Sequence, residues 1–225
     1  MIKLCVSGSK GKMGSRIIEL AKEDPAEFQL SGEFDVGAEP EPLIEGSDCL
    51  IEFTSPQATI EHLALCEKLK KAIVIGTTGL SGAEQEKIKE ASKTIPIVFS
   101  PNMSVGVNLL FKMVGDAAKI LGPEYNVEIV EAHHINKKDS PSGTAKELAR
   151  IVKAAKPDAD IPIESVREGE IVGEHTITFE SDYDVIEITH SAKTRDIFAK
   201  GALVAAKFIA KQSSGLYTMK DVLAL

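Results

Sequence analysis

An α/β protein built on a parallel sheet is what this sequence predicts, and three observations carry that prediction. Short apolar, β-branched runs alternate with amphipathic helical stretches through the first half of the chain, the signature of β-α-β units. The first of these runs ends in a glycine-rich turn that opens directly into a helical pattern. After about Ser104 the rhythm changes to longer helices and a hairpin-like pair of strands, so a second structural region follows. With roughly 150 residues to a domain, 225 residues make about one and a half domains.

Taken in order, strands are expected near Ile2–Ser7, Phe28–Phe34, Cys49–Phe53, Ala72–Gly76 and Ile95–Phe99. Between them, Lys12–Glu23, Pro56–Lys70 and Ser81–Lys93 read as helices. In the first, Met13, Ile17, Leu20 and Ala21 recur at helical spacing, so one face can pack on the sheet. The proline- and glycine-punctuated segment Gly37–Gly46 reads as a surface connection. A helix over Val107–Leu121 stops at Gly122-Pro123, and a strand, Val127–Ala132, runs into a polar loop. A helix from Ser142 to about Ala155 follows, then strands Glu174–Glu180 and Asp184–Ser191 joined by a hairpin-length link. The alanine-rich stretch Ile197–Lys211 is the last long helix, and the tail Thr218–Leu225, with Tyr217 and Met219 beside or within it, reads as a short helix capping the core. No internal repeat or low-complexity segment interrupts this pattern.

Composition narrows the functional classes. Hydrophobic residues are 43% and charged residues 27%, the mix of an ordinary folded protein. Lys and Arg total 26 against 34 Asp and Glu, a net charge of −8, so the overall field gathers neither nucleic acid nor an anionic membrane. Any anionic small molecule must be caught by a local cluster of cations. No apolar run of roughly 18 residues is present and the chain starts on a strand-like pattern, so neither a membrane span nor a signal peptide is expected and the cytoplasm is the expected compartment. Cys5, Cys49 and Cys66 lack metal-type or C-x-x-C spacing; Cys5 and Cys49 lie in apolar runs and read as core residues.

Two segments carry chemistry. Gly8-Ser9-Lys10-Gly11-Lys12-Met13-Gly14 joins the first strand to the first helix, where glycines let the backbone approach a pyrophosphate and the helix end offers free N–H groups. A plain structural turn is the alternative reading of that spacing. Asp35 ends the second strand, twenty-one residues after Gly14, where a carboxylate can accept hydrogen bonds from an adenosine ribose. Asp35 disfavours a 2′-phosphate and Val36-Gly37 supply no cation, while Lys10 and Lys12 can attract one; NADH and NADPH both stay open.

The second segment runs from Glu128 to Ala145. His133, His134 and Lys137 leave a strand together and face the start of a helix, an arrangement that suits an anion. Ser142 is a good N-cap, and the N–H groups of Gly143 and Thr144 in the first turn favour a carboxylate. A capped helix after a solvated basic loop is the bland alternative. The twin histidines suggest a metal only if a third ligand exists, and none is evident nearby, so no metal is expected.

Glu128 through Ala145 resembles, without a gap, the E-[IV]-x-E-x-H-x-x-x-K-x-D-x-P-S-G-T-A signature of the 4-hydroxy-tetrahydrodipicolinate (dihydrodipicolinate) reductase family. Similarity extends to Gly8–Gly14, Phe53-Thr54 with Pro56, Gly76–Gly79, Ser100–Asn108, Gly173–Thr176 and Glu187–His190 with Arg195. The resemblance implies a Rossmann-type parallel sheet domain, 1–104 with 196–225, and an inserted α+β domain with a mixed sheet, 105–195, that binds substrate and builds a homotetramer. It implies hinges near Asn102–Ser104 and Arg195. Cofactor contacts, to NADH or NADPH, fall by resemblance on Gly8, Ser9, Lys10, Gly11, Lys12, Met13, Asp35, Gly76, Thr77, Thr78, Ser100, Pro101, Asn102 and Met103. The catalytic pair falls on His133 and Lys137, and substrate contacts on His134, Gly143 and Thr144.

The implied reaction is reduction of (2S,4S)-4-hydroxy-2,3,4,5-tetrahydrodipicolinate to 2,3,4,5-tetrahydrodipicolinate with loss of water, in lysine biosynthesis through diaminopimelate. Two departures stand out: Val36 where many members carry Arg, which leans toward NADH, and Ile135-Asn136 where many carry a basic pair, which leaves the substrate pocket less positive. Arg195 and His175 read either as substrate contacts or as sheet and subunit contacts, and Glu128 and Glu131 as strand or supporting residues. Another small-molecule NAD(P)-dependent dehydrogenase would share the first hundred or so residues but not the His/Lys loop. A non-catalytic dinucleotide sensor would need only the phosphate loop.

Overall fold

Apolar strands with both faces covered by helices belong in a parallel sheet, and that is how the first half of the chain assembles. The computed structural model describes residues 1–225. It divides into two compact units, Met1–Val105 with Phe198–Leu225, and Gly106–Ile197.

In the first unit, β1 (Ile2–Ser7), β2 (Phe28–Phe34), β3 (Cys49–Glu52), β4 (Ala72–Ile75) and β5 (Pro96–Phe99) alternate with α1 (Lys12–Glu23), α2 (Glu41–Glu45), α3 (Pro56–Leu69) and α4 (Gly82–Ala91). All ladders are parallel, and the sheet, with β10 (Gly215–Tyr217) at its edge, has the order β10-β5-β4-β3-β1-β2. Side chains alternate between two cores, as the pleat requires. Leu4, Val6, Ile51, Val74 and Val98 face α1 and the alanine-rich helix, while Cys5, Leu50, Ile73 and Ile97 face α3 and α4. Ser55 and Ser81 cap α3 and α4, the latter in a reciprocal capping box with Glu84. The three cysteines are buried and unpaired.

The second unit starts within α5 (Val105–Ile120) and continues through β6 (Asn126–His133), α6 (Gly143–Ala155), β7 (Ile163–Arg167), β8 (Glu174–Glu180) and β9 (Val185–Ser191) into the first turn of α7 (Asp196–Ile209). Its sheet has the order β7-β6-β8-β9, with β6 and β7 parallel and the other two ladders antiparallel. One face packs on α5 and α6 through Val127, Ile129, Ile177 and Phe179. Along that face β6 presents Val127, Ile129, Glu131 and His133, and β8 presents Phe179, Ile177 and His175. The covered face is therefore apolar at one end and polar at the other, where α6 begins.

The structure departs from the sequence reading in three places. The connection over Gly37–Gly46 contains α2, which buries Ile44 completely; five residues are too few to show a helical period. Strand β10 is three residues long and owes its existence to pairing with Pro96–Val98. Strand β7, Ile-Glu-Ser-Val-Arg, lacks a continuous apolar run because it is an edge strand. The tail forms α8 (Met219–Leu223), capped by Thr218 and Asp221, with Met219 buried in the first core.

Helix α7 passes so close to the Met103 backbone that a Cβ at Gly201 would overlap the Met103 carbonyl oxygen. Gly201→Ala is expected to cost about 1–3 kcal/mol through overpacking. Denaturant unfolding followed by far-UV circular dichroism measures it; an unchanged midpoint would mean the helix shifts freely.

Candidate active site

The winding of the parallel sheet reverses between β1 and β3, because β2 pairs on one side of β1 and β3 on the other. Crevices at such a point, outside the carboxyl ends of the strands, are where open α/β sheets bind ligands. Gly8 follows β1 with φ +62°, a left-handed conformation, and a Cβ there would stand 2.8 Å from Thr54 Cγ2. The Gly11 N–H donates to the Gly8 carbonyl at 2.9 Å, and Gly14 packs beneath that carbonyl with no room for a side chain. Gly11 then begins α1 without a side-chain cap, so the N–H groups of the first turn remain available to an anion.

Around this turn, Lys10, Gly11 and Lys12 are exposed, Ser9 is half-buried, and Met13 packs on the first core. Asp35, at the end of β2, accepts the Lys10 N–H at 2.9 Å and the Val36 N–H at 2.8 Å, which hold its carboxyl below the usual carboxylate range. It lines a cavity with Phe34, Val36, Thr54 and His62. Val36 is 99% exposed.

Sequence reasoning missed what supports this cavity. Glu52 is fully buried at the end of β3 and accepts from Ser7 Oγ at 2.7 Å, the Thr54 N–H at 2.8 Å, the Thr54 hydroxyl, and His62 Nδ1 at 2.6 Å. Burial alone would raise its pKa; those donors, His62 foremost, lower it instead. A glutamate closing the apolar run Cys49-Leu50-Ile51 was the available signal.

Other expected cofactor residues vary in what they offer. Gly76 ends against the Phe53 ring, which a Cβ would overlap. Thr77 is buried with its hydroxyl bonded to that of Thr59 at 2.8 Å, so this segment presents backbone, and Thr78 is exposed. Ser100 Oγ donates to the Asn102 carbonyl at 2.9 Å, and Asn102 Oδ1 accepts the Ser104 N–H. Pro101 is exposed, whereas the Met103 side chain is buried in the core and can serve a ligand only through its backbone.

In the second unit the polar end of the covered sheet face forms a cluster. Glu131, fully buried, takes Arg167 Nη2 on Oε1 at 2.7 Å and Nη1 on Oε2 at 3.0 Å, the Ser142 N–H at 3.2 Å, and His133 Nδ1. Register explains the convergence: Glu131 pairs with His175 across β8, and His133 with Arg167 across β7. Burial works to raise the Glu131 carboxyl, but the Arg167 guanidinium and the other donors hold it at about 2. His133 is lowered, chiefly by burial, against the upward pull of Glu131. His175 is pushed down to about 4 by burial and by His133, whose ring lies 5.2 Å away edge-on.

Ser142 is the N-cap of α6, accepting the Ala145 N–H at 3.2 Å, and its hydroxyl also meets His175 Nε2 at 3.1 Å. Gly143 is exposed with open space at its Cβ position, and Thr144 is half-buried behind it, so the helix start faces outward. The loop after β6 turns back on itself through the Lys137 N–H to the His134 carbonyl, and Lys137 Nζ donates to Asp139 Oδ1 at 2.7 Å. Arg167 Nη2 also reaches the Asp139 carbonyl at 2.8 Å, tying this loop to β7. Arg195 Nη2 lies 3.4 Å from His134 Nε2. His133 is thus linked to the start of α6 through Glu131, His134 and Lys137 share the loop that follows β6, and the sequence reading had no role for Arg167.

The fold brings donor atoms of Glu131, His133 and His175, but not His134, within 4.8 Å of one another. Their chemistry does not suit a cation, because the Arg167 guanidinium already occupies both carboxylate oxygens and opposes a second positive charge there.

A parallel sheet with a glycine cradle at its reversal point, followed by a separate mixed sheet bearing a cationic loop, defines a class of two-unit, pyridine-nucleotide-dependent oxidoreductases. Comparison with known proteins narrows the class. The family described as dihydrodipicolinate reductase, N-terminus, matches residues 2–103, and its C-terminal counterpart matches 106–223. The 4-hydroxy-tetrahydrodipicolinate reductases of Geotalea uraniireducens and Syntrophotalea carbinolica are 40% and 38% identical over 267 aligned positions, covering 100% of both chains in each case. Among solved structures, a dipicolinate-bound dihydrodipicolinate reductase from Paenisporosarcina sp. TG-14 superposes with a TM-score of 0.87 at 22% identity, covering 98% of each chain. A probable dehydrogenase from Thermotoga maritima shares the fold at a TM-score of 0.69 and 13% identity, covering 99% of this chain and 93% of its own. This chain belongs to the dihydrodipicolinate reductase family, and with it to the oxidoreductases that use a pyridine nucleotide.

The cradle fits such a cofactor, since Gly8 and Gly14 leave no room for side chains where a pyrophosphate would approach. Gly14→Ala is expected to open the turn and weaken NADH binding at least about tenfold, by loss of roughly 1.4 kcal/mol or more. Quenching or enhancement of NADH fluorescence on titration measures this, and an unaltered affinity would remove the cradle from cofactor binding.

Proposed function

We propose that this chain catalyses the NAD(P)H-dependent reduction of (2S,4S)-4-hydroxy-2,3,4,5-tetrahydrodipicolinate to 2,3,4,5-tetrahydrodipicolinate with loss of water, in lysine biosynthesis through diaminopimelate. The observation that supports it, beside full-length kinship to reductases of that name, is that His133 is linked through Glu131 to the outward-facing start of α6, with His134 and Lys137 in the loop between them. A cyclic imine with two carboxylates needs cations and N–H donors in one place, and an acidic protein must build that place locally.

In this reading the Gly143 and Thr144 N–H groups take one carboxylate, where hydrogen bonding and the helix dipole act together. His134 and Arg195, side by side, serve the dianion from the other end of the loop. The bound reduced nicotinamide supplies a hydride. Loss of the 4-hydroxyl as water leaves a conjugated imine; hydride addition to it places electron density on the ring, and the Lys137 ammonium lowers that cost before giving up a proton. Lys137 must leave Asp139 to do so, an exposed partner that substrate can replace. His133 assists from the strand end as an acid–base group.

Gly8 to Met13, Gly76 to Thr78 and Ser100 to Met103 are the proposed cofactor contacts, and Asp35 the group that meets the adenosine ribose. Its ionised carboxylate favours NADH, Val36 adds no cation, and exposed Lys10 and Lys12 still tolerate NADPH. The proposed cofactor residues all belong to one unit and the substrate residues to the other, so turnover requires the two to be brought together. We place the enzyme in the cytoplasm; no helix is long and apolar enough to cross a membrane. We assign it a homotetramer built through the second unit, where the edge strand β9 leaves Val185 and Ile186 exposed.

Mixing protein, substrate and NADH or NADPH and following nicotinamide absorbance tests the activity; no consumption of either would sink it. Lys137→Ala is expected to lower kcat about 10²–10⁴-fold while NADH affinity is unchanged. Equal weakening of NADH binding would mean the residue was misassigned. Asp35→Ala is expected to shift the ratio of kcat/KM values toward NADPH, and an unchanged ratio would show that Asp35 does not read the ribose.

A further inference from the structure

Glu131 and Arg167 stand behind His133, and neither has a part in the reaction as described so far. Glu131 and His133 lie two residues apart on the same face of β6, and Arg167 is the β7 residue in register with His133. The Glu131 carboxylate is ionised and can only accept, so His133 Nδ1 carries the hydrogen of the bond between them. The atom left to act is Nε2. It faces Gly173, where a Cβ would stand 3.1 Å away, so a side chain at that position would crowd it.

A buried carboxylate alone against an imidazole favours the imidazolium. Here the same carboxylate is clasped by both guanidinium nitrogens of Arg167, so the carboxylate and guanidinium together carry no net charge. Burial is the largest influence against a second proton on His133, and the charged groups around it add to that. Lys137 in the following loop and Arg167 on β7 are cations, and His175 on β8 is buried and held neutral. Ser142, from the start of α6, adds no charge.

We propose that Glu131 and Arg167 form a charge-cancelled positioning pair: the carboxylate fixes the orientation and tautomer of His133, and the guanidinium cancels the pull that would make it a cation. His133 then presents a neutral Nε2 lone pair, as a hydrogen-bond acceptor or base, and proton donation falls to Lys137. The role in turnover rests on the proposed reductase activity; the state of the imidazole does not.

The test therefore has two readouts. In protein labelled at its five histidines, 15N chemical shifts of His133 report tautomer and protonation without substrate, and the pH profile of kcat/KM reports turnover. Arg167→Gln leaves the carboxylate alone with the imidazole, and the His133 midpoint is expected to rise by about 1 pH unit or more, the low-pH limb of the rate following it. Glu131→Gln leaves the guanidinium alone, and the midpoint is expected to fall while the tautomer is no longer held as Nδ1–H. Arg167→Lys retains the charge and is expected to restore a midpoint near that of the unaltered protein. General loosening of the cluster would move all three variants the same way.

Shifts of one sign, or none, in Arg167→Gln and Glu131→Gln would overturn the proposal. If Glu131→Gln does not fold, Arg167→Gln against Arg167→Lys carries the test, with equal midpoints as the overturning result. Opposed shifts in a protein that reduces no substrate would uphold the pair and refute the reductase reading instead.

Discussion

A carboxylate cannot be taken out of water without a partner, because the penalty is several kcal/mol even after relaxation. The second unit is organised around that constraint at Glu131. Its side chain faces the covered side of the sheet because β6 alternates, and Val127 and Ile129 on the same face leave it no route to solvent. Arg167, the Ser142 N–H and His133 all come to it. In satisfying one buried charge, the fold joins the edge strand β7, the start of α6 and the His/Lys loop.

The first unit solves the same problem at Glu52. There too an apolar run ends in a buried glutamate just before the chain leaves the sheet, and its donors come from the loops that border the crevice. Ser7 precedes Gly8, Thr54 packs against Gly8, and His62 lines the cavity shared with Asp35. Buried carboxylates thus set the geometry at a strand end in each unit. Polar networks rigidify a structure most when every member is satisfied, and in the cluster around Glu131, Arg167 Nε and His175 Nδ1 are buried without a partner.

Charge is distributed to match. The chain carries a net charge of −8, so its overall field is acidic. Lys137 is paired with Asp139 and Arg167 with Glu131, so each of these two cations already has an anionic partner.

Much of this was readable from residue order. The five parallel strands, the helices between them, the glycine turn and the capped α6 depend on local chemistry: apolar period, φ > 0 at Gly8, a serine ahead of a helix. His133, His134 and Lys137 could be grouped with Gly143 and Thr144 as candidates because those residues lie within one short segment. What stayed hidden was long-range. Helix α2 and strand β10 are too short to have a period and exist through packing on Ile44 and pairing with β5. Arg167 follows Glu131 by 36 residues and His175 follows Ser142 by 33, and nothing in an isolated arginine or histidine announces its partner. Strand register and the packing of α6 against the sheet decided those meetings, and a shift of one residue would have turned Glu131 and His133 to the other face of the sheet.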